Sequence, residues 1–352
     1  MALIVPAKKR IAVIDYDLCN PEGCGGYYCE KVCPVNRTGQ KCIEHEPGQK
    51  PTISETTCIG CMICVKKCPF GAISIINLSI DPGQTMHQFG ENSYRLYRLP
   101  YPKKGEVVGL IGRNGIGKTT ALNILTGNLV PNLGNWKEKT TYENVINFFK
   151  GKEIQEYFKN LSGKKIKSSL KPQMVEELPK YAKGTVKELL SKVSSNAKEL
   201  ERVAKEMNLS KILDRDIANI SGGELQRLAI AAAVLKEADF YFFDEPSSYL
   251  DVRERLNAAK VIRELAKKNK SVMAVEHDLA VLDYLSDSTH LFFGEKSVYG
   301  AVSHPKTVLK GINEYLEGFI SDENLKFRPN EIKFQVSPPS DAVKRRKFLE
   351  YP

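Results

Sequence analysis

The distribution of cysteine is the feature that most constrains the fold of this chain of 352 residues. All nine cysteines lie between Cys19 and Cys68, and none follows in the rest of the sequence. In a reducing compartment such a cluster binds metal more often than it forms disulfides. The first part of the chain is therefore predicted to be a small domain organised around bound metal.

The spacing of these cysteines predicts iron–sulfur clusters. The run from Cys58 to Pro69 reads C-x2-C-x2-C-x3-C-P, and the run from Cys19 to Pro34 repeats the plan as C-x4-C-x4-C-x3-C-P. In the bacterial ferredoxin run, three thiolates bind one cubane and the fourth, at the proline turn, binds the other. The same cross-ligation predicts two [4Fe–4S] clusters, one held by Cys33, Cys58, Cys61 and Cys64, the other by Cys19, Cys24, Cys29 and Cys68.

Some alternatives remain for this region. Thiolates also suit zinc, although the paired C-P endings disfavour two zinc sites. Cys42 is left over and is expected to be a buried or idle thiol. The strand-like segments Arg10–Asp15 and Ala72–Ile76 flank the cysteines, as the edges of a ferredoxin-like fold would. The clusters could transfer electrons or simply hold together a domain with little core.

A phosphate-binding loop follows a boundary near Asp81–Gly83. The strand-like EVVGLIG leads into a complete G-x-x-x-x-G-K-[ST] motif and then into a helical stretch. Its glycines let backbone amides surround phosphate oxygens at a helix N-terminus. Lys118 is expected to reach the β- and γ-phosphates, and Thr119 to ligate Mg²⁺. The residues of this loop predicted to contact a nucleotide are Gly112, Asn114, Gly115, Gly117, Lys118, Thr119 and Thr120.

Two further motifs extend the nucleotide site. The apolar run Asp239–Asp244 reads as a buried strand of a parallel sheet. Asp244 at its end is expected to hold Mg²⁺, and Glu245 to polarise the attacking water.

Just upstream, ISGGELQR leads into a helix whose Ser221 and Glu224 are spaced as a capping box. Gly222 and Gly223 allow close backbone approach, so this helix N-terminus suits a phosphate as well. An ordinary capped helix is the alternative.

These motifs resemble those of the ATP-binding cassette (ABC) ATPases, in which the signature motif of one nucleotide-binding domain contacts ATP held by another. The resemblance implies that Ser221–Glu224 complete the site of a second cassette. It implies a Q-loop role, with Mg²⁺ ligation, for Gln173, and a γ-phosphate sensor in His277. The family also stacks adenine on an aromatic ring before the P-loop, for which Phe89 and Tyr94 are both candidates.

The fused cysteine-rich domain makes the chain closely similar to subfamily E of these ATPases, the RNase L inhibitor or ribosome-recycling family. The expected fold is α/β: a P-loop ABC nucleotide-binding domain with an N-terminal α+β ferredoxin-like domain. The resemblance implies ATP or ADP, Mg²⁺ and two [4Fe–4S] clusters as ligands, and ATP-driven movement of the iron–sulfur domain that splits ribosomes. It implies the small ribosomal subunit and a class-1 release factor or Pelota-like rescue factor as partners.

The positive charge is concentrated in one segment. The net charge is +10, and residues 136–171 hold nine lysines against four glutamates. Two helices, Tyr142–Phe149 and Glu153–Asn160, are expected to straddle Gly151. In subfamily E an insert at this place touches the small subunit, so the segment is a candidate contact for ribosomal RNA. A solvated lysine-rich face is the alternative.

The sequence contains one P-loop, one signature motif (Ser221–Glu224) and one Walker-B strand (Asp239–Asp244), whereas subfamily E members carry two cassettes. We therefore expect the N-terminal portion of a longer protein, with a ferredoxin-like domain at 1–80, a nucleotide-binding domain at 81–320 and a hinge segment at 321–352. The missing second nucleotide-binding domain predicts weak ATP turnover. The basic run KRRK at 344–347 could bind nucleic acid, although a solvated hinge is favoured.

The longest apolar run, Leu228–Leu235, is far shorter than the roughly 18–20 residues that span a bilayer. No signal peptide is visible, so a soluble, cytoplasmic protein without membrane contact is expected. An ATP-driven redox or cluster-handling protein is the alternative function. A bare nucleic-acid-binding module has only the lysine bias in its favour.

Overall fold

The computed structural model describes residues 10–78 and 83–332. Asp81, at the expected domain boundary, and the KRRK run of the expected hinge lie outside the described residues. The first described stretch is called the head below, and the second the cassette.

The head is built from short elements around the cysteines. They are β1 (Arg10–Ile14), α1 (Tyr28–Val32), α2 (Pro34–Arg37), β2 (Ile43–Glu44), β3 (Thr52–Ile53), α3 (Ile63–Lys67) and β4 (Ile73–Asn77). β1 and β4 are the expected strands, and they pair antiparallel with Ile11 opposite Ile76. The pairing confirms the ferredoxin-like arrangement that the flanking apolar segments predicted.

The cassette consists of longer helices and strands. Its strands are β5 (Thr85–Gln88), β6 (Arg95–Tyr97), β7 (Val107–Ile111), β8 (Ser168–Lys171), β9 (Phe240–Asp244), β10 (Ser271–Val275), β11 (Ser288–Glu295), β12 (Tyr299–Val302), β13 (Phe319–Ile320) and β14 (Leu325–Lys326). Its helices are α4 (Lys118–Leu125), α5 (Tyr142–Phe148), α6 (Ile154–Ser162), α7 (Leu178–Tyr181), α8 (Val186–Val193), α9 (Ala197–Glu206), α10 (Gly222–Leu235), α11 (Val252–Lys267), α12 (Leu279–Leu285) and α13 (Val308–Glu317).

One sheet of eight strands organises the cassette, in the order β5-β6-β12-β11-β7-β10-β9-β8. The strands from β11 to β8 pair in parallel, and β12 joins β11 antiparallel. Helices cover both faces, as a parallel sheet of apolar strands requires. One apolar core packs α8 to α11 against the sheet, and a second packs α4, α5 and α6 against the opposite face. The carboxyl ends of β7, β8, β9 and β10 therefore meet at one edge, where ligands bind in open α/β sheets.

The head is hydrogen-bonded to the turn between β5 and β6. The buried side chain of Asn92 accepts from Ile53 N (2.6 Å) and donates to Ile53 O (2.8 Å) and Ala12 O (3.1 Å). Arg95 forms two hydrogen bonds with the carboxylate of Glu55, at 2.8 and 2.9 Å. These contacts fix the head to the segment that also carries Phe89 and Tyr94.

Head and cassette also share apolar packing. Ile11 and Val13 of β1 belong to the same buried cluster as Ile111 of β7, Leu291 of β11 and Ile320 of β13. The β13–β14 hairpin, which spans the expected boundary between cassette and hinge at residue 321, thus contributes Ile320 to the core shared with the head.

None of the helices in residues 10–78 and 83–332 is long and apolar enough to cross a lipid bilayer.

Candidate functional site

The P-loop begins where β7 ends and closes on the first residue of α4. Gly117 caps this helix with φ = 98°, a left-handed conformation that favours glycine. A Cβ at Gly117 would collide with the Tyr94 hydroxyl, which donates a hydrogen bond to Ile116 O at 2.9 Å. The Tyr94 ring thus packs directly against the P-loop at Gly117, and a residue larger than glycine would not fit there.

Lys118 lies folded onto the P-loop. Its Nζ donates to Gly112 O (2.5 Å), Arg113 O (3.2 Å) and Asn114 Oδ1 (3.3 Å). Burial lowers the pKa of Lys118 to about 8, although the nearby carboxylate of Asp244 opposes the shift. A bound phosphate would favour the charged form of this amine.

Glu245 is the centre of the polar contacts at the end of β9. Its Oε1 accepts from Gln173 Nε2 at 2.7 Å and lies 3.2 Å from His277 Nε2. Its Oε2 accepts from the Ser248 hydroxyl at 3.1 Å. His277 Nε2 also lies 3.4 Å from Lys118 Nζ, so the Glu245 carboxylate faces the P-loop.

Burial is the main cause of the shifted pKa values of Asp244 and His277 at this edge of the sheet. Burial raises the pKa of Asp244, and the adjacent carboxylate of Glu245 adds to the effect. Burial lowers the pKa of His277, and Lys118 adds to that shift. A cation placed between Asp244 and the P-loop would stabilise the charged carboxylate and so offset the rise in the pKa of Asp244. Mg²⁺ prefers oxygen ligands, and Thr119, Gln173 and Asp244 all carry side-chain oxygens.

These residues converge on one cavity of about 410 Å³. Its lining consists of Phe89, Tyr94, Asn114, Gly115, Gly117, Lys118, Thr119, Thr120, Gln173, Asp244, Glu245 and Ser297. All but Ser297 are residues that the sequence predicted for nucleotide binding or hydrolysis. Gly112 and His277 contact this set through Lys118 and Glu245.

The two aromatic candidates differ in their environments. Phe89 is 58% exposed and borders the cavity, so its ring is accessible to a ligand. The hydroxyl of Tyr94 is occupied by the P-loop carbonyl of Ile116, and burial raises its pKa. Phe89 is therefore the better placed of the two to stack on a base, and Tyr94 supports the P-loop.

The signature residues lie apart from this cavity. Ser221 accepts from Glu224 N at 3.3 Å, and Glu224 Oε2 accepts from Ser221 N at 2.7 Å, which completes the capping box. None of Ser221, Gly222, Gly223 and Glu224 lines the nucleotide cavity described above. The separation is the one expected if this helix terminus serves a nucleotide held elsewhere.

The head contains two cavities lined by cysteines. One is lined mostly by apolar and aromatic residues together with Cys19, Cys24, Cys29 and Cys68. The other is lined by apolar residues together with Cys33, Cys42, Cys58, Cys61 and Cys64. The structure therefore brings together each of the two predicted sets of four, and adds Cys42 to the second. An all-thiolate donor set in an apolar cavity fits an iron–sulfur cluster.

The thiols respond to the same apolar surroundings. Burial raises the pKa of Cys29 to about 11 and that of Cys64 to about 12. Metal ligation needs thiolates, so cluster binding would release protons here. Among the described residues no three His, Cys, Asp or Glu side chains are arranged around a single-ion position.

The lysine-rich insert presents its charge to solvent. The two expected helices are α5 and α6, and Gly151 lies between them with φ = 80°. The rings of Phe149 and Phe158 stack at 5.2 Å and hold the pair together. Eight of the nine lysines between 136 and 171 are exposed, and Lys171 alone among them is buried. Lys171 therefore does not belong to the basic surface in which the sequence had placed it.

Several contacts to the Walker-B turn were not predicted from the sequence. Lys171, Gln226 and Glu276 are buried and bond to residues 244–247. For Lys171, the sequence did offer one indication: it is the only charged residue of β8 and ends that strand two residues before Gln173. Ser297 reaches the cavity from the loop after β11, and its sequence context carries no recognisable motif.

Comparison with protein families matches three regions of the chain. The family described as "ABC transporter" matches residues 101–248. The family described as "Possible Fer4-like domain in RNase L inhibitor, RLI" matches residues 10–41, and the "4Fe-4S binding domain" family matches 51–74. The two latter matches favour [4Fe–4S] clusters over the zinc alternative.

Curated relatives match over nearly the whole chain. An uncharacterised ABC transporter ATP-binding protein of Methanocaldococcus jannaschii is 50% identical over 97% of this chain and 56% of its own length. Translation initiation factor RLI1 of Saccharomyces cerevisiae is 47% identical over 95% of this chain and 56% of its own length. The chain thus spans a little over half the length of these relatives.

Solved structures agree. A structure of ribosome-bound archaeal Pelota and ABCE1 superposes with a TM-score of 0.88 and 55% identity, over 93% of this chain and 55% of that chain. A complex of the archaeal ribosomal stalk protein aP1 with the ribosome recycling factor aABCE1 gives a TM-score of 0.69 and 52% identity, over 74% of this chain and 50% of that chain.

Proposed function

Since this chain belongs to subfamily E of the ATP-binding cassette ATPases, the RNase L inhibitor family, we propose that it acts in ATP-dependent ribosome recycling. ATP binding and hydrolysis move the iron–sulfur head and separate the ribosomal subunits. The observation that supports this function is the direct contact between the segment beside the nucleotide cavity and the cysteine-rich head. The Glu245 carboxylate faces the P-loop, and the turn beside that cavity is bonded directly to the cysteine-rich head.

The chemical step uses the cavity residues in distinct roles. Lys118 binds the β- and γ-phosphates, and the P-loop amides surround them. Mg²⁺, when bound by Thr119, Gln173 and Asp244, neutralises phosphate charge. Glu245 orients the attacking water, as its position beside His277 and Gln173 allows. Phe89 stacks on adenine.

A second nucleotide-binding domain completes the machine. The capped helix terminus at Ser221–Glu224 would contact the γ-phosphate held by that partner, and the partner's signature would close the cavity described here. The capping box leaves this terminus ordered before any partner arrives. A chain without the partner therefore binds nucleotide and hydrolyses it slowly.

The head is the part that moves. Its two cysteine-lined cavities would each hold one [4Fe–4S] cluster. Asn92 links the backbone of the head to the turn that carries Phe89, so a change of nucleotide at Phe89 acts on a segment already bonded to the head. The clusters serve as structural supports of a rigid moving body.

Contact with the ribosome uses the basic insert. The exposed Lys159 of α6 and the exposed lysines of the loops around α5 and α6 would bind phosphates of small-subunit RNA, with affinity that falls as salt rises. The matched structures include Pelota and a ribosomal stalk protein, which favours the same classes of partner here. A class-1 release factor is a further partner that the family resemblance implies. A protein with these partners would work in the cytoplasm.

Sedimentation with isolated small subunits tests the proposal. The chain should co-sediment when a non-hydrolysable ATP analogue is present, and charge reversal of Lys159, Lys164 and Lys165 to Glu should abolish binding. The matched control reverses Lys187, Lys192 and Lys205, which are exposed on α8 and α9, and should bind as the parent does. Failure of the parent to bind, together with readily reversible reduction of the clusters in voltammetry, would favour the cluster-handling alternative.

A further inference from the structure

The turn that carries Glu245 has an unfavourable backbone conformation. Glu245 has φ = 48°, in the left-handed region that L-residues other than glycine avoid. The next residue is Pro246, and a residue before proline prefers an extended backbone instead. Local sequence therefore does not stabilise this turn, and contacts from elsewhere in the fold must hold it.

Lys171 provides the first of these contacts. It is the last residue of β8, is fully buried, and donates from Nζ to Asp244 O (2.8 Å) and Glu245 O (3.3 Å). Burying an ammonium group costs desolvation free energy that an apolar side chain in this position would not cost. Burial lowers the pKa of Lys171 to about 8, while Asp244, Glu276 and Glu245 favour its charge.

Gln226 provides the second contact from the signature helix. Its Nε2 donates to Glu245 O (2.8 Å) and to Pro246 O (3.0 Å), and its side chain is fully buried. Downstream, Ser247 donates from its backbone N (2.9 Å) and hydroxyl (2.7 Å) to the carboxylate of Glu276. Side chains from three elements thus hold three consecutive residues, starting at Glu245.

We propose that Lys171 and Gln226 are positioning residues that hold the main chain of Glu245 in its left-handed turn and so aim its carboxylate at the P-loop. Neither Lys171 nor Gln226 lines the nucleotide cavity itself, and both bond to the main chain of lining residues, so they act through Glu245. Gln226 lies five residues after Ser221 on the same chain segment, which connects the signature helix to the catalytic turn of the same cassette. The inference rests on the proposed ATPase function and adds to it the residues that set the catalytic geometry.

A mutant cycle on this chain tests the inference. Lys171→Met keeps the length of the side chain and removes its donors, and Gln226→Leu does the same for the amide. Hydrolysis of radiolabelled ATP is measured at high protein concentration, so that slow turnover is counted, and Mg-ATP affinity is measured separately. We expect kcat to fall at least tenfold in each variant while KM and the Kd for Mg-ATP stay within about twofold.

The Glu245→Gln background separates positioning from general structural support. There, Lys171→Met should lower the residual rate by less than twofold, because the residue it positions has already lost its function. Lys236→Met, at an exposed lysine after α10, is the matched control and should leave kcat unchanged. Thermal unfolding of each variant verifies that it is folded.

The outcomes are distinct. Wild-type kcat in Lys171→Met and Gln226→Leu, or equal losses of rate in the parent and Glu245→Gln backgrounds, would overturn the positioning role and leave the ATPase function intact. A parent chain that binds Mg-ATP without any hydrolysis, alone or with a second cassette added, would instead contradict the proposed function.

Discussion

The head and the cassette build their sites in opposite ways. In the cassette, the functional side chains are bonded to one another and to strand ends of an eight-stranded sheet, so the protein alone fixes the geometry. In the head, no helix exceeds five residues, and the cysteines line two cavities. The fold thus makes one site, whereas the ligand is needed to make the other.

Removal of iron should have the largest effect, and it acts on the head. A chelator, or Cys58→Ser, is expected to abolish protection from hydrogen exchange in α1, α3 and β2, because the short helices there have little other packing. Strands β7 to β10 should keep their protection, and Mg-ATP affinity should change by less than about threefold. A head that stays protected without iron would remove the contrast between the two sites.

Loss of the catalytic carboxylate should affect the cassette without unfolding it. Glu245→Gln is expected to lower kcat by about 100-fold or more, the usual range for a group that orients or deprotonates water. Mg-ATP binding should persist, because the P-loop contacts are untouched. Glu237→Gln, at an exposed position before β9, is the control. Normal turnover in Glu245→Gln would remove this residue from the mechanism.

Acid should destabilise the cassette through a buried histidine. His290 Nδ1 donates to Ser303 O (2.9 Å), its Nε2 accepts from Tyr101 N (3.3 Å), and burial lowers its pKa to about 4. The unfolded chain takes up the proton near pH 6.5, so stability falls as pH drops from 6.5 through 4, by up to about 3 kcal/mol.

Cassette unfolding followed by urea at pH 7 and pH 4.5 measures this dependence. His290→Asn should flatten it, whereas His304→Asn, at an exposed histidine, should leave it unchanged. Equal pH dependence in all three proteins would show that acid acts elsewhere.

The two aromatic residues should give the smallest effects, and of different kinds. Phe89→Ala is expected to weaken Mg-ATP binding about fivefold, from a stacking contribution of about 1 kcal/mol. Tyr94→Phe should instead lower the unfolding free energy of the cassette by about 1 kcal/mol, because Ile116 O loses its donor. A larger loss of affinity in Tyr94→Phe would reverse the assignment of the stacking ring.

Sequence reasoning succeeded where a motif determines local geometry. Spacing was enough to predict the two sets of four cysteines that meet at the cavities. The P-loop and Walker-B patterns gave eight of the twelve residues that line the nucleotide cavity, and the resemblance to the ABC ATPases gave Gln173, Phe89 and Tyr94. Capping at Ser221 was likewise readable, because its partner Glu224 is only three residues away.

What the sequence missed depends on contacts between distant segments. Lys171 meets Glu245 and Asn92 meets Ile53 only because the folded sheet and the head bring them together. The choice between Phe89 and Tyr94 likewise depended on burial, since both lie at a suitable distance before the P-loop. Lys171 was misplaced for the same reason, because a lysine among lysines looks solvated until its burial is known.

The shared packing of Ile11 and Val13 has a consequence for the order of events during synthesis. The head is synthesised before the cassette, yet the cluster that covers one face of β1 includes residues as late as Leu291 and Ile320. At about 5–20 residues per second, the newborn head waits tens of seconds with that apolar face uncovered. Cluster delivery and chaperone binding therefore share one interval, which closes when the last strands of the cassette are made.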